Sequence, residues 1–222
     1  MGNTVTLTAK DGHKFDAYRA DPSGAPKGAL VVIQEIFGVN SHMKEVCDGY
    51  AKDGYVCIAP ALFDRVEKGL ELGYAGDDMD KAKETRGKLN WDDTLADVAA
   101  AQDAVKDVGK VAIVGYCFGG SVAWLGATRM SFACAVSFYG GNVADFAEEK
   151  PSCPVICHIG SEDGGINADK VAIIKKAQPD VPVYIYDGAG HGFNCNQRGS
   201  YNEAAATLSR SRTLEFLAKN IG

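Results

Sequence analysis

Apolar and polar positions along the chain follow two periods, and together they predict an α/β protein. Strands that are buried on both faces of a parallel sheet have continuous apolar runs. Strand-like runs of this kind occupy residues 29–34, 55–59, 111–114, 132–138, 154–160 and 181–186. Two earlier stretches, 4–8 and 14–20, alternate polar with apolar residues instead. Asp11-Gly12 lies between them, so they predict a hairpin with one solvated face.

Helices are predicted between the later strands. They cover approximately residues 40–52, 90–105, 121–127, 167–177 and 202–220. Asn90 can cap the second of these helices, whose first turn carries acidic residues that suit the helix dipole. Five of its residues keep helical spacing and four of them are apolar, which predicts a core-facing side: Trp91, Leu95, Val98, Gln102 and Val105. In the last helix, Leu208, Leu214, Leu217 and Ile221 lie roughly on one side.

Residues 61–90 are the least regular part of the chain, because they are charged, contain glycine and show no clear strand. They predict a lid or a pocket wall, with a disordered surface loop as the alternative. Elsewhere strands alternate with helices, which favours a mostly parallel sheet covered on both faces. The length of 222 residues suits a single domain over residues 1–222.

Charge and cysteine usage narrow the possible functions. The net charge of −6 argues against general nucleic-acid binding and against an anionic membrane surface, but one or two local arginines could still hold an anionic substrate. No apolar stretch is long enough to span a bilayer and no signal peptide is recognisable, so we expect a cytoplasmic protein. The seven cysteines are scattered and odd in number, which favours reduced thiols.

A zinc site is the alternative use of some of these cysteines. Its candidate ligands are Cys153, Cys157, His158, His191 and Cys195. Structural zinc sites usually show paired short spacings, and Cys153 and Cys157 lie in or beside a strand without that spacing. We therefore expect neither a metal nor a cofactor.

The strongest chemical signal is the stretch Gly115-Tyr116-Cys117-Phe118-Gly119-Gly120, which joins an apolar strand to an apolar, helix-compatible run. This is the G-x-S-x-G nucleophile elbow with cysteine in place of serine. Neighbouring backbone passes close to the positions two before and two after the nucleophile, and glycine has no Cβ to clash there. The N–H groups of the following helix favour a thiolate and a developing oxyanion. The alternative is that Cys117 is a small buried apolar residue.

Four polar residues are predicted just past the carboxyl ends of strands, where sites form in parallel sheets. They are Glu35, Cys117, Asp163 and His191. A cysteine nucleophile needs a base, and the base needs a carboxylate that fixes its tautomer. The order nucleophile, acid, histidine is that of the α/β-hydrolase fold. Surface, turn or capping roles are the alternatives for His191 and Asp163.

Four motifs in this order resemble the dienelactone hydrolase (carboxymethylenebutenolidase) family over nearly the whole chain. They are Gln34-Glu35-Ile36-Phe37-Gly38, the elbow, Gly160-Ser161-Glu162-Asp163 and Gly190-His191-Gly192-Phe193. The resemblance implies an α/β-hydrolase with a mostly parallel eight-stranded sheet, in agreement with our count of eight strands. It implies that Cys117 attacks a lactone or enol ester carbonyl, that His191 is the base and that Asp163 orients His191.

The resemblance also implies roles for residues around this triad. Backbone N–H groups of Ile36 and Phe118 would form the oxyanion hole. Glu35 would interact with the resting thiol, so that substrate binding shifts the cysteine towards the triad. From the sequence alone, Glu35 could equally form a surface salt bridge or a helix-start contact.

The family holds a substrate carboxylate with arginines, and the chain departs from that pattern. One such arginine falls four residues after the histidine, where this chain has Cys195. Arg198 is the proposed substitute and Arg86 the candidate for the second arginine, with Arg65 as an alternative. An ordinary surface arginine is the alternative for all three. Tyr139, past a strand end, is a candidate pocket residue or a core tyrosine.

The sequence therefore predicts a carboxylic ester hydrolase that forms a thioester acyl-enzyme. Its expected partner is a small lactone or ester, expected to be anionic, and we expect a monomer or a weak homo-oligomer. The alternatives are a broader esterase or thioesterase, a non-catalytic ligand-binding or redox-sensing protein, and a zinc-binding module.

Overall fold

The computed structural model describes residues 2–222, and within that range there are eight strands and six α-helices. The chain divides into two compact units, residues 2–112 with Ile221 and residues 113–220 with Gly222. The boundary between them falls within one strand, β5 (Val111–Tyr116). Among the helices of residues 2–222, none combines the length and the apolar character needed to cross a membrane.

The first unit contains the predicted hairpin and two buried parallel strands. Its strands are β1 (Asn3–Thr8), β2 (Lys14–Ala20), β3 (Gly28–Ile33) and β4 (Tyr55–Pro60). They lie in the order β1-β2-β4-β3. The pairs β1–β2 and β2–β4 are antiparallel, whereas β3 and β4 are parallel. Every residue of β3 and β4 is buried, which explains their continuous apolar sequences.

The helices of the first unit are α1 (Ser41–Lys52), α2 (Asp77–Gly87) and α3 (Trp91–Asp103). The first and third match the predicted helices, and each begins at an asparagine whose side chain accepts a backbone hydrogen bond. The second lies inside the irregular segment, so a disordered loop is wrong for that part of the chain. Only Ala82 and Thr85 of α2 are buried, and this explains why no apolar stripe predicted it.

The buried face of α3 differs from the predicted one. Its buried residues are Thr94, Ala96, Asp97, Val98 and Ala101, whereas Trp91, Leu95 and Gln102 are only half-buried. The physical reason is a buried ion pair, because Asp97 faces Arg65, which lies in a short 3-10 turn, Leu62–Arg65. A polar residue at a core position turns the helix away from the face that an apolar count predicts.

The second unit is a four-stranded parallel arrangement. Its strands are β5, β6 (Ala135–Phe138), β7 (Val155–Gly160) and β8 (Val183–Tyr186), paired in that order. Its helices are α4 (Phe118–Arg129), α5 (Ala168–Ala177) and α6 (Glu203–Ile221).

Two features of the second unit differ from the prediction. The strand predicted from residue 132 begins only at Ala135. In α6, Leu208 is 47% exposed, whereas Ser209 and Thr213 are fully buried, so the predicted leucine face is wrong at that position. The α6 residues that face the core include two hydroxyl side chains, one of which binds a buried histidine described below.

Candidate active site

The elbow between β5 and α4 is a strained turn at Cys117. This residue has φ 56° and ψ −116°, a left-handed conformation that is costly for a residue with a Cβ. The N–H of Cys117 donates to the carbonyl of Phe138 at 2.9 Å, and this bond ties the turn to the end of β6. The thiol is partly exposed, and the backbone of α4 begins at the next residue, Phe118.

Glycines on both sides of Cys117 allow the backbone to close around the thiol. A Cβ on Gly115 would collide with the carbonyl of Gly119. A Cβ on Gly120 would meet the carbonyl of Phe138 and the backbone of Gly140. The elbow therefore requires residues without a Cβ at Gly115, as its spacing predicts, and also at Gly120, which the spacing did not single out.

The second unit brings Cys117, His191 and Asp163 into one hydrogen-bonded chain. Nε2 of His191 lies 3.1 Å from Sγ of Cys117. Nδ1 of His191 lies 2.7 Å from Oδ2 of Asp163. The remaining oxygen, Oδ1, accepts from the N–H groups of Gly165 at 2.9 Å and Ile166 at 3.1 Å. This is the geometry of a nucleophile, a base and an orienting acid.

The loops that carry Asp163 and His191 are held together by backbone contacts. The N–H of Glu162 donates to the carbonyl of Ala189 at 2.9 Å. Gly160, the last residue of β7, packs so closely on that carbonyl that a Cβ would clash with it. Sequence reasoning missed this contact and the two N–H donors of Asp163, although the run Asp163-Gly164-Gly165 is the signal for a tight turn of this kind.

The triad is electrostatically coupled. Burial favours the neutral form of His191, but its hydrogen bonds to Asp163 and Cys117 outweigh burial and raise its pKa to about 10. Burial would raise the pKa of Asp163, yet His191 and the backbone N–H groups of Gly165 and Ile166 lower it. An imidazolium donates from both ring nitrogens, so Sγ of Cys117 accepts the bond from Nε2. Nε2 of His191 is therefore placed to exchange a proton with Sγ of Cys117.

Tyr139 is fully buried and contacts the triad through its ring. Its ring centroid lies 5.1 Å from that of His191 at an interplanar angle of 61°. Phe118, the residue after the nucleophile, is buried at the first position of α4, where its N–H belongs to the positive end of the helix.

Arg198 lies in the same unit as the triad. Its guanidinium packs against Gly192, the residue after His191, where a Cβ would clash with it. Gly192 has φ 76°, a conformation that glycine adopts without strain. Arg198 is thus the candidate arginine that the structure brings next to the histidine loop.

The other two candidate arginines belong to the first unit and have protein partners. The guanidinium of Arg86 stacks over the Trp91 ring at 4.5 Å and donates to the carbonyl of Leu89 at 3.2 Å. Arg65 binds both oxygens of Asp97, at 2.8 and 2.7 Å, and also lies 2.9 Å from Asp11. Because its donors face carboxylates of the protein, Arg65 is a structural residue rather than a substrate ligand.

Glu35 and Ile36 follow β3 in the first unit. Glu35 is fully buried, which excludes the surface salt bridge considered from the sequence. Ile36 is half-buried and packs against a cluster that contains Phe37, Leu72 and Ala82.

Four of the five residues considered for zinc, Cys153, Cys157, His158 and His191, have other surroundings. Burial raises the pKa of Cys153 to about 11 and that of Cys157 to about 12, which disfavours the thiolates that bind metals. His158 is fully buried, and its ring nitrogens bind the hydroxyls of Tyr186 at 2.7 Å and Thr213 at 3.1 Å. Both nitrogens of His191 belong to the triad.

Comparison with known proteins places these features in a family. Residues 15–221 match the model of the "Dienelactone hydrolase family". A "Putative carboxymethylenebutenolidase" of Synechocystis is 34% identical and covers 91% of each chain, and the "Carboxymethylenebutenolidase" of Pseudomonas putida is 32% identical over 96% of this chain and 95% of its own. The crystal structure of a putative dienelactone hydrolase from Klebsiella pneumoniae superposes with a TM-score of 0.86 at 28% identity, covering 98% of this chain and 99% of that one. These similarities confirm the predicted α/β-hydrolase fold.

Proposed function

The chain belongs to the dienelactone hydrolase family, and from this premise we propose that it hydrolyses enol lactones or related carboxylic esters through Cys117, His191 and Asp163. The observation that carries the proposal is the continuous set of contacts from Sγ of Cys117 through the imidazole to the buried carboxylate, at 3.1 and 2.7 Å. A hydrolase of this family needs a nucleophile with an oriented base, and these three residues supply both.

In the first half of the proposed reaction, the thiol proton of Cys117 is on Nε2 of His191, and the resulting thiolate attacks the carbonyl carbon to form a tetrahedral oxyanion. Backbone N–H groups of Phe118 and Ile36 are the proposed donors to that oxygen, since donors aimed at developing charge give large rate effects. His191 then transfers its Nε2 proton to the departing enol or alcohol oxygen. The carbon–oxygen bond breaks, and a thioester on Cys117 remains.

In the second half, neutral His191 accepts a proton from water, and the hydroxide oxygen attacks the thioester carbonyl. The carbon–sulfur bond breaks, and sulfur leaves as a thiolate that pairs again with the imidazolium. Asp163 keeps Nδ1 protonated throughout and so presents Nε2 to the reactants. The cycle needs no cofactor, because the protons and electron pairs balance within the triad, the substrate and water.

The proposed substrates carry a carboxylate. Arg198 is the best candidate to bind it, because its guanidinium lies against Gly192, beside the base. The names of the two relatives support an acidic lactone as the substrate class. Arg86 remains the second candidate, and Glu35 remains the proposed thiol-regulating residue on the strength of the family motif.

The test compares an acidic dienelactone with a neutral aryl ester, in wild type, Cys117→Ala, Arg198→Met and the control Cys153→Ala. We expect Cys117→Ala to lose at least about 10³-fold in kcat/KM on every substrate that wild type hydrolyses. Cys153→Ala removes a half-buried thiol outside the triad and should match wild type. Arg198→Met should raise KM for the acidic lactone and leave the neutral ester unchanged.

Each alternative function gives a different result in this experiment. Activity that survives in Cys117→Ala would reject the triad. Turnover of the neutral ester alone would indicate a broader esterase or thioesterase. A wild type that hydrolyses neither substrate would favour a ligand-binding or redox-sensing protein. An equal loss on both substrates in Arg198→Met would reject its role as a carboxylate ligand.

A further inference from the structure

Tyr139 supports the His191 imidazole from a direction that neither of the triad hydrogen bonds covers. The two rings meet edge to face, with centroids 5.1 Å apart. On another side, the Tyr139 ring meets Phe193 at 5.3 Å, also edge to face. Edge-to-face pairs are favourable orientations for aromatic rings and restrict their relative rotation. His191 is therefore held by two hydrogen bonds and by one aromatic contact.

The backbone of Tyr139 is strained, and backbone hydrogen bonds of Tyr139 and of the preceding residue hold it in place. With φ 40°, it is the one residue besides Cys117 that combines a positive φ with a Cβ among residues 2–222. Its N–H donates to the carbonyl of His158 at 2.7 Å, while the carbonyl of the preceding Phe138 accepts from Cys117. A tyrosine at such a position costs about 1–3 kcal/mol, although glycines occupy the next two positions. The conformation is one that glycine would adopt cheaply, which suggests that the ring itself is needed.

A buried hydrogen-bond relay fixes the wall behind this ring. The guanidinium of Arg212 lies over the Tyr186 ring, 5.4 Å from its centroid. The Tyr186 hydroxyl is hydrogen-bonded to Nδ1 of His158 at 2.7 Å, and the Thr213 hydroxyl is hydrogen-bonded to Nε2 at 3.1 Å. Burial and the nearby Arg212 charge lower the pKa of His158 to about 3, so this ring stays neutral.

This relay is connected to the triad through two aromatic rings. The ring of Tyr186 packs on Phe193 at 5.2 Å, and Phe193 packs on Tyr139. The contacts therefore run without a break from α6 to the catalytic base within the second unit.

We propose that Tyr139 is a positioning residue for His191, whose ring keeps the imidazole in the plane that reaches Cys117 and Asp163 together. The inference rests on the proposed function, because it gives Tyr139 its role through the proposed base. In the proposed reaction Tyr139 acts through His191 and contributes no proton. Misplacing a catalytic group by about 1 Å can reduce the rate by a factor on the order of 100.

The test measures kinetics on 4-nitrophenyl acetate and the titration of the His191 imidazole by NMR, assigned with a His191→Gln variant. In Tyr139→Leu, we expect kcat to fall by roughly 10–100-fold while KM changes by less than about twofold. The midpoint of the His191 titration should move down from about 10, because the bonds to Asp163 and Cys117 that raise it are loosened. Tyr139→Phe keeps the ring and should stay within about threefold of wild type in kcat.

Two further variants keep the test decisive. Phe15→Leu truncates an equally buried ring in the first unit, so it should lower the melting temperature without changing kcat or the titration. If Tyr139→Leu fails to fold, Phe193→Leu withdraws the support behind the ring and should shift both readouts in the same direction by a smaller amount. An unchanged kcat and titration in Tyr139→Leu would overturn the proposal, as would a Tyr139→Phe variant as impaired as Tyr139→Leu. Full activity in Cys117→Ala would mean that the proposed function is wrong. The NMR titration of His191 needs no turnover, so it tests the role of Tyr139 separately from that outcome.

Discussion

Each compact unit buries one aspartate, and the two carboxylates have opposite electrostatic outcomes. The side chains of Asp97 in the first unit and Asp163 in the second are both fully buried. Burial raises the pKa of Asp97, even though Arg65 binds both of its oxygens. Burial acts on Asp163 in the same direction, but His191 and two backbone N–H groups overcome it and lower the pKa.

Both carboxylates are buried, so burial does not decide whether a carboxylate is structural or supports a reaction. The side chain that binds the carboxylate decides it. A guanidinium keeps its proton at any pH a protein experiences, so Arg65 and Asp97 can only tie a turn to α3. An imidazolium can give up a proton, even where its pKa is raised as that of His191 is, and its second nitrogen can face a reactant. The pair of Asp163 and His191 can therefore take part in proton transfer.

The largest expected effect is a loss of catalytic activity, which should follow substitution of only one of the two aspartates. Asp163→Asn should lower kcat/KM by roughly 10³–10⁴-fold, because the amide no longer selects the tautomer of His191 that faces Cys117. Asp97→Asn should stay within about threefold of wild type, since Asp97 orients no reacting group. Both variants are assayed on the same ester. Similar losses in the two variants would contradict the assignment of different roles.

The next effect concerns stability. Arg65→Met leaves a buried carboxylate without its cation, and we expect it to lower the free energy of unfolding by about 3–5 kcal/mol. The double variant Arg65→Met, Asp97→Leu removes both charges and should recover most of that loss. Urea unfolding measures both values. A single variant that loses less than about 1 kcal/mol would show that the ion pair is not needed to bury Asp97.

The smallest expected effect is a pH dependence of the free energy of unfolding, which arises from the pair of Asp163 and His191. The lowered pKa of Asp163 contributes stability that is present above about pH 4 and is lost as the pH falls through the native pKa. The raised pKa of His191 contributes stability that is full below about pH 6.5 and is lost as the pH rises through about 10. The raised pKa of Asp97 acts in the opposite direction to the lowered pKa of Asp163, because the charged form of Asp97 costs stability above its native pKa.

The measurement compares urea unfolding of wild type with His191→Gln at pH 5.5, 8 and 10. The stability advantage of wild type, measured as its free energy of unfolding minus that of His191→Gln, should be greatest at pH 5.5 and smallest at pH 10. At pH 5.5 it should be on the order of 2 kcal/mol after solvent screening. An advantage that grows towards pH 10 would contradict a raised pKa of His191 in the folded protein.

The sequence predicted the strands better than the helix faces. Strand β2 has the predicted bounds, 14–20, because the alternation of polar and apolar residues reflects the single buried face of the strand. Helix α2 was not predicted, since two buried positions in eleven residues leave no periodic signal. The predicted face of α3 was right at Val98 and Val105 but wrong at the other three positions, because the fully buried Asp97 is charged and its partner Arg65 is 32 residues away in sequence.

The triad was predictable because each member follows a strand, and the elbow spacing identifies the nucleophile. The structure brings Cys117, His191 and Asp163 together, whereas the roles of Glu35, Ile36, Arg86 and Arg198 stay predictions. The support around His191 was not predictable in the same way. The contributions of Tyr139 and His158 depend on a positive φ, a backbone carbonyl and ring contacts. These features produce neither a periodic pattern nor a motif in the sequence.

Four of the six helices described in residues 2–222 begin at asparagine, and this choice affects how the chain ages. The caps are Asn40, Asn90, Asn167 and Asn202, and the Oδ1 atom of each accepts a backbone N–H from its helix. Aspartate caps a helix about as well as asparagine, and its negative charge suits the positive helix end. Conversion of these amides to aspartate by slow hydrolysis would keep the Oδ1 acceptor at each helix start, but it would remove the Nδ2 donor that Asn40 gives to the Leu72 carbonyl and Asn90 gives to the Asp93 carboxylate. The exposed Asn167 is therefore the cap at which this chemical change costs the fold least.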